Sequence, residues 1–157
     1  IGILASVAIV SFTSAREKSR DGKRIAQVGQ ITKALELYYD SHQSYPSTTP
    51  SGYSGADAAI VLLSDMDLLP VNLVPPPGVD LAYVYHGIYG ATPTECDAGA
   101  PSGTSCDSYL LGITLERSEN AVLATDADVR IATFFGDSAE CQTDIIASIE
   151  ACYDVSP

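Results

Sequence analysis

From Ile1 to Val10 the chain carries only apolar side chains apart from Gly2 and Ser6. The charged stretch Arg16-Glu17-Lys18-Ser19-Arg20-Asp21-Gly22-Lys23-Arg24 follows without a turn signal. Ile25, Val28, Ile31, Ala34, Leu35, Tyr38 and Tyr39 then recur at steps of three and four, one stripe on a helix. Its opposite face carries Arg24, Gln27, Gln30, Lys33 and Glu36. The pattern predicts a single helix over 1–42 that ends in the aromatic-rich turn Tyr38-Tyr39-Asp40-Ser41-His42-Gln43-Ser44-Tyr45-Pro46. Gly22 and Gly29 each cost about 1 kcal/mol relative to Ala inside a helix; they mark a bend, a close helix approach or a locally weak helix. Such a helix is roughly 60 Å long. The spans expected are therefore 1–24 as a protruding stem, 25–42 packed on a head, and 43–157 as that head. An exposed apolar protrusion needs a membrane or partners.

Beyond the Ser/Thr/Pro/Gly-rich loop 47–55, Asp57 to Leu69 reads as a short helix that Pro70 ends, and Pro75-Pro76-Pro77-Gly78 as an extended turn. Leu81 to Tyr85, Tyr109 to Leu115, Ala121 to Thr125 and Val129 to Phe135 read as strands, and Ala139 to Cys152 as a short helix. A Gly/Pro/Ser-rich insertion with Cys96 and Cys106 separates the first two strands. The class expected is α+β, a long N-terminal helix packed on a small antiparallel sheet.

Charge sharpens this picture. Six of the eight basic residues fall in 1–33 against only Glu17 and Asp21, which makes that segment +4. Residues 34–157 hold eighteen acids against Arg117 and Arg130, for −16, and the chain totals −12. An acidic head repels phosphates and argues against nucleic acid as its partner. The same separation suits a basic stretch of one copy meeting the acidic head of another.

Cys96, Cys106, Cys141 and Cys152 lack CxxC spacing, so disulfides in an oxidising compartment fit better than zinc. Four cysteines permit three pairings, and Cys96–Cys106 with Cys141–Cys152 is expected because each closes a short segment. Free thiols in a cytosolic protein are the competing reading.

Candidate chemistry is sparse. His42 lies at a helix end, where capping is the simpler role, and His86 ends a strand, where a hydrogen-bonded structural role is favoured over a triad. Gly99-Ala100-Pro101-Ser102-Gly103 has no Lys to cradle phosphate. The expectation is no enzyme and no cofactor. Asp126 and Asp128 alternate as calcium ligands do, without the full loop signature, and an acidic turn competes with that reading. Asn72 and Asn120 are outside glycosylation sequons, while Ser47-Thr48-Thr49-Pro50-Ser51 suits O-linked sugar or plain linker. The nine tyrosines read as core packing, with a conductive relay as the rival. Twelve apolar residues, Ile1 to Phe12, fall short of the roughly twenty that a bilayer requires. The segment is either a buried core helix or a chain missing its beginning.

Ile1-Gly2-Ile3-Leu4-Ala5-Ser6-Val7-Ala8-Ile9, the charged run Ser14 to Arg24, and Leu35-Glu36-Leu37-Tyr38-Tyr39 with Tyr45-Pro46 resemble the N-terminal helix of type IV pilins and type II secretion pseudopilins. The likeness covers about 46 residues. It implies the pilin fold and a mature protein that begins about a dozen residues earlier, with a methylated aromatic residue and a Glu in its first turn. Val10 stands where many relatives have a helix-breaking Pro, and the absence of Trp departs from secretion-type members with their calcium loop. The resemblance implies a homopolymeric extracellular filament assembled from the inner membrane by a pilus machinery. Ile1, Leu4, Val7, Ala8 and Phe12 would form its core, and Arg16, Lys18, Arg20, Lys23 and Arg24 would meet acidic heads of neighbouring copies. A secretion pseudopilin and a membrane-anchored, non-polymerising adhesin or minor pilin are the alternatives.

Overall fold

The computed structural model describes residues 2–54, 57–70, 73, 75–77, 83–90, 94–97, 105–128, 130–131, 134–135, 141 and 151–157; for 2–11, 130–131 and 134–135 it describes the backbone alone. A 41-residue helix, α1 (Gly2–His42), leads the chain. No proline interrupts it, and it passes through Gly22 and Gly29 unbroken. Gln43 ends it by turning into the left-handed region at φ 55°, where its N–H bonds the Tyr39 carbonyl at 2.7 Å. The Gln43 amide and the His42 ring take up the Asp40 and Tyr38 carbonyls at 3.2 and 3.0 Å. Among the described residues no helix is long and apolar enough to cross a membrane.

Helix α2 (Ala58–Asp65) packs Ala58, Ala59, Ile60 and Leu63 inward. The strands β1 (Val84–Tyr89), β2 (Thr94–Glu95), β3 (Ser108–Thr114) and β6 (Cys152–Val155) form an antiparallel sheet in the order β2-β1-β3-β6. Register is set by Val84 opposite Gly112 and Ile88 opposite Ser108, and by Leu111 opposite Val155. Period-2 alternation then sorts the side chains. Tyr85, Tyr109, Leu111 and Ile113 join Val28, Ile31 and Leu35 of α1 and Leu63 of α2 in the main core. Val84, Ile88 and Leu110, on the other face, meet the Cys141–Cys152 disulfide in a second apolar cluster. Both faces of the central strands are thus covered, so β3 is buried from Tyr109 to Thr114.

The fold is α+β as expected, a long helix on a four-stranded antiparallel sheet. Several boundaries are corrected. The first strand begins at Val84, and the expected residues 81–82 lie outside the described residues. Ala121–Ala124 is a 3₁₀ turn, not a strand. Asn120 accepts the Val122 N–H on its side chain at 3.4 Å, and its carbonyl takes the Leu123 N–H, so the local turn wins over a four-residue apolar run. The expected strand 129–135 is a pair of short strands, β4 (Arg130–Ile131) and β5 (Phe134–Phe135), that bond to each other across two intervening positions, the spacing of a tight hairpin. Of the expected helix 139–152, residues 139–140 and 142–150 lie outside the described residues; Cys141 sits in a turn and Cys152 opens β6.

Candidate functional site

Where α1 meets the head, four charged side chains converge. Asp21 and Arg24 stand one helical turn apart on the buried stripe, both fully enclosed. Arg24 Nη1 donates to Asp21 Oδ1 and to Glu116 Oε1, both at 2.8 Å, and Nη2 donates to the Pro76 and Pro77 carbonyls at 3.0 and 3.2 Å. Arg24 Nε has no hydrogen-bond partner. Asp21 also receives the backbone N–H groups of Glu116 and Arg117, at 2.9 and 3.2 Å. Arg20, one turn earlier, forks onto both Glu116 oxygens. Those guanidinium bonds, Arg20's first, hold the Glu116 carboxyl below the usual glutamate range despite the opposing effect of burial. Two cations and two anions balance, and the segment after β3 is bolted to the stem.

This corrects two expectations. Arg24 belongs to the buried face of the helix, not the polar one, and within the chain Arg20 and Arg24 are already paired with Glu116, Arg24 also with Asp21. The physical reason is that Asp21 and Glu116 together balance the two guanidinium groups, so Arg24 is buried with its charge paired. Arg16, Lys18 and Lys23 remain exposed. Of the expected core residues, Phe12 is 66% exposed. Leu4, Val7 and Ala8 lie within α1, with side chains outside the described residues, and Ile1 is itself outside them.

A second constellation lies along the edge of β6 turned away from β3. Carboxylate oxygens of Asp126, Asp128 and Asp154 fall within 4.8 Å of one another. Asp154 is buried; its N–H donates to Asp126 Oδ2 at 3.4 Å, its carbonyl accepts the Ala127 N–H at 3.3 Å, and its Oδ1 accepts the Asp128 N–H at 3.1 Å. Asp126 Oδ1 is buried without a hydrogen-bond partner. Burial, and then the neighbouring Asp128 charge, raise the Asp126 pKa. A depression of about 290 Å³, lined by Thr125, Asp126, Ala127, Asp154, Val155 and Ser156, opens beside the group. Hard oxygen ligands of this kind suit a divalent cation such as calcium. Asp154 was missed because nothing local links it to residues 126–128; the strand pairing of β6 does.

Both disulfides pair as expected, Cys96 with Cys106 and Cys141 with Cys152. The first clasps the exit of α1: Tyr45 N–H bonds the Cys106 carbonyl and Thr48 N–H the Cys96 carbonyl, each at 2.9 Å. His42 stacks on Tyr38 with ring centroids 4.1 Å apart, at the helix end as expected. His86 lies within β1 rather than at a strand end, buried, with Nδ1 2.8 Å from Glu95 Oε1. Tyr39, Tyr45, Tyr109 and Tyr85 follow one another at centroid distances of 4.7, 4.8 and 6.2 Å within or against the core. The Tyr85 hydroxyl donates to the Pro46 carbonyl at 2.8 Å, and burial pushes its pKa well up.

No protein-family model matches the chain, and no solved structure does. Among curated proteins it is similar to the light-independent protochlorophyllide reductase iron-sulfur ATP-binding protein of Cereibacter sphaeroides strain ATCC 17029, 30% identical over 116 residues, 74% of this chain and 33% of that protein. The protein of that name from Synechococcus sp. strain RCC307 is 28% identical over 119 residues, 76% of this chain and 34% of its own length. The chain thus spans about a third of the length of the curated relatives it matches. These matches run against the expectation of no enzyme, because the proteins the chain is similar to are named as the iron-sulfur ATP-binding protein of a reductase.

Proposed function

We propose that the chain is the structural subunit of a type IV pilus-like extracellular filament, with the pilin fold, assembled from the inner membrane by a pilus machinery and polymerising through the leading part of α1. The supporting observation is the helix outrunning its head. Packing onto the head begins at Arg20 and Asp21, whereas Phe12 to Arg16, Lys18 and Ser19 are exposed and the helix extends back to Gly2. A continuous helix whose Phe12 to Arg16, Lys18 and Ser19 are exposed gives each copy a rod to lay beside others, and burial of apolar area at about 25 cal/mol per Å² supplies the association energy. A repeated contact that does not close on itself makes a helical fibre. Cryo-electron microscopy of native cell-surface material tests this: ordered fibres of this chain, with Leu4, Val7 and Phe12 at the axis, are expected, and a chain found only as membrane-held monomers would refute it.

A second reading, a component of an enzyme like the reductase subunits, is carried by the sequence similarity. The groups in the relatives' name meet a poor fit in this chain. Iron–sulfur clusters are held by cysteine thiolates, and all four cysteines here are joined in disulfides. The Gly-x-x-x-x-Gly-Lys-Ser/Thr phosphate loop is absent from the sequence. No step is routed through either group. Titration of the purified chain with Mg-ATP checks this reading: saturable binding supports it, and none removes it.

A further inference from the structure

The face of α1 turned away from the head carries a second pattern. Positions 12, 16, 19, 23, 26, 30, 33 and 37 advance by four and three, one stripe of the helix, and all are exposed. Phe12 and Leu37, 66% and 56% exposed, stand at its ends. Between them Arg16, Lys23 and Lys33 are the charged residues, so the stripe is cationic and free of acid in a chain of net charge −12. None of these three forms an ion pair among the described residues, whereas Arg20 and Arg24 are both neutralised internally.

The complementary surface is on the same chain. Asp57, Val61 and Asp65 succeed one another at four-residue steps along the outer face of α2, and exposed Met66 and Asp67 continue it. No cation occurs from Asp57 to Asp67. Asp57 stands at the N-cap without a side-chain capping bond, and Asp65 accepts a hydrogen bond from the Tyr53 hydroxyl. Along the helix axes, Asp57 and Asp65 are about 12 Å apart and Arg16 and Lys23 about 10.5 Å, at 1.5 Å per residue. The two patches match in length, oppose in charge, and each bears exposed apolar side chains beside its ions.

We propose that the outer face of α2 in one copy docks on the Phe12–Lys23 part of the outer stripe of α1 in a neighbouring copy. Asp65 faces Arg16 and Asp57 faces Lys23, an antiparallel arrangement that carries Met66 toward Phe12 and sets Val61 over the stripe between the two cations. The inference rests on the filament reading, and names the surface that Arg16 and Lys23 of the stem meet.

The test is a charge swap in the full chain expressed in its native host, read as the amount of filament sheared from cells. Arg16→Glu/Lys23→Glu and, separately, Asp57→Lys/Asp65→Lys should each lower filament yield about tenfold, since each inverts two exposed pairs. The fourfold swap, which restores opposite charges, should return yield to near the wild-type level. Thermal melts of the soluble variants check that the head is folded, because none of the four positions belongs to the Asp21–Arg24–Glu116 network. Wild-type cells without filaments of this chain would sink the filament reading itself. Filaments in the wild type and undiminished in both double variants would overturn the docking surface alone, as would a fourfold swap that fails to restore assembly. Loss with the stem variant and none with the α2 variant would also overturn it, and would indicate an anionic partner other than a second copy.

Discussion

Asp21→Asn is the perturbation that most directly probes how the stem is held to the head. The side chain is fully buried and its carboxylate accepts three bonds, from Arg24 Nη1 and from the N–H groups of Glu116 and Arg117. Asparagine keeps the shape but removes the charge, and turns a donor NH₂ toward at least one of those donors. Arg24, also fully enclosed, then loses one of its two carboxylates. Breaking a buried ion pair from one side costs about 3–5 kcal/mol. For a chain of 157 residues each kcal/mol moves the melting midpoint by about 2–4 °C, so a fall of about 6–20 °C is expected.

The comparison variant is Glu116→Gln. Arg24 there keeps Asp21 and the Pro76 and Pro77 carbonyls, and Arg20, partly exposed, can swing into water. Its cost must be the smaller. Adding Arg24→Met to Asp21→Asn removes the orphaned cation, so the double variant should be no less stable than Asp21→Asn alone. Circular dichroism melts at pH 7 of the three variants measure the order. An Asp21→Asn within about 1 kcal/mol of wild type, or a Glu116→Gln that costs as much, would refute the account of a charge-balanced bolt.

Three further outcomes are expected. Because the folded-state pKa of Glu116 is depressed, its contribution is complete above the ordinary glutamate value of about 4.3 and is lost as pH falls through the folded value; urea midpoints should drop over that acid window in wild type and drop less in Glu116→Gln. Gly87→Ala places a Cβ 2.4 Å from the Pro46 carbonyl and 3.2 Å from Cys106 Sγ, so backbone must shift, and urea unfolding should register a loss of about 1–3 kcal/mol. Removing the Cys141–Cys152 bridge, which spans 11 residues, should cost about 3 kcal/mol by the chain-entropy account, read as the difference in urea stability between wild type and Cys141→Ala/Cys152→Ala.

What was legible in the sequence was whatever repeats at short range. Val28, Ile31, Ala34 and Leu35 declared the packed face of α1 by spacing alone, and all four are buried. The disulfide pairing followed from closeness along the chain, and the strand Ser108–Thr114 from its β-branched and aromatic content. What was not legible depends on distant partners. Asp21 and Arg24 look like a solvated pair at helical spacing, and distant partners, Glu116 and Arg117 together with the Pro76 and Pro77 carbonyls, make them interior. Likewise Cys152–Val155 is strand because β3 offers it an edge, and that pairing carries Asp154 to Asp126 and Asp128. The apolar run at 121–124 deceived because Asn120, one position earlier, supplies a turn that hydrophobicity does not register.

The two glycines of α1 separate the demands of the monomer from those of an assembly. Within the chain, a Cβ at Gly22 or Gly29 would meet nothing within 4 Å, and neither glycine has positive φ. Contact with the head therefore explains neither, and both weaken the helix by about 1 kcal/mol each relative to alanine. Gly22→Ala/Gly29→Ala should accordingly raise monomer stability by about 2 kcal/mol, seen as a higher urea midpoint with an unchanged slope. A measured loss would mean that the helix needs those positions bent or closely approached within a single chain, contrary to the geometry described. Filament yield of the same variant gives an independent reading. If copies lie with backbones close at these positions, the added methyl groups should hold helices apart and reduce assembly even as the monomer gains stability, opposite signs that a purely local weakness in the helix would not produce.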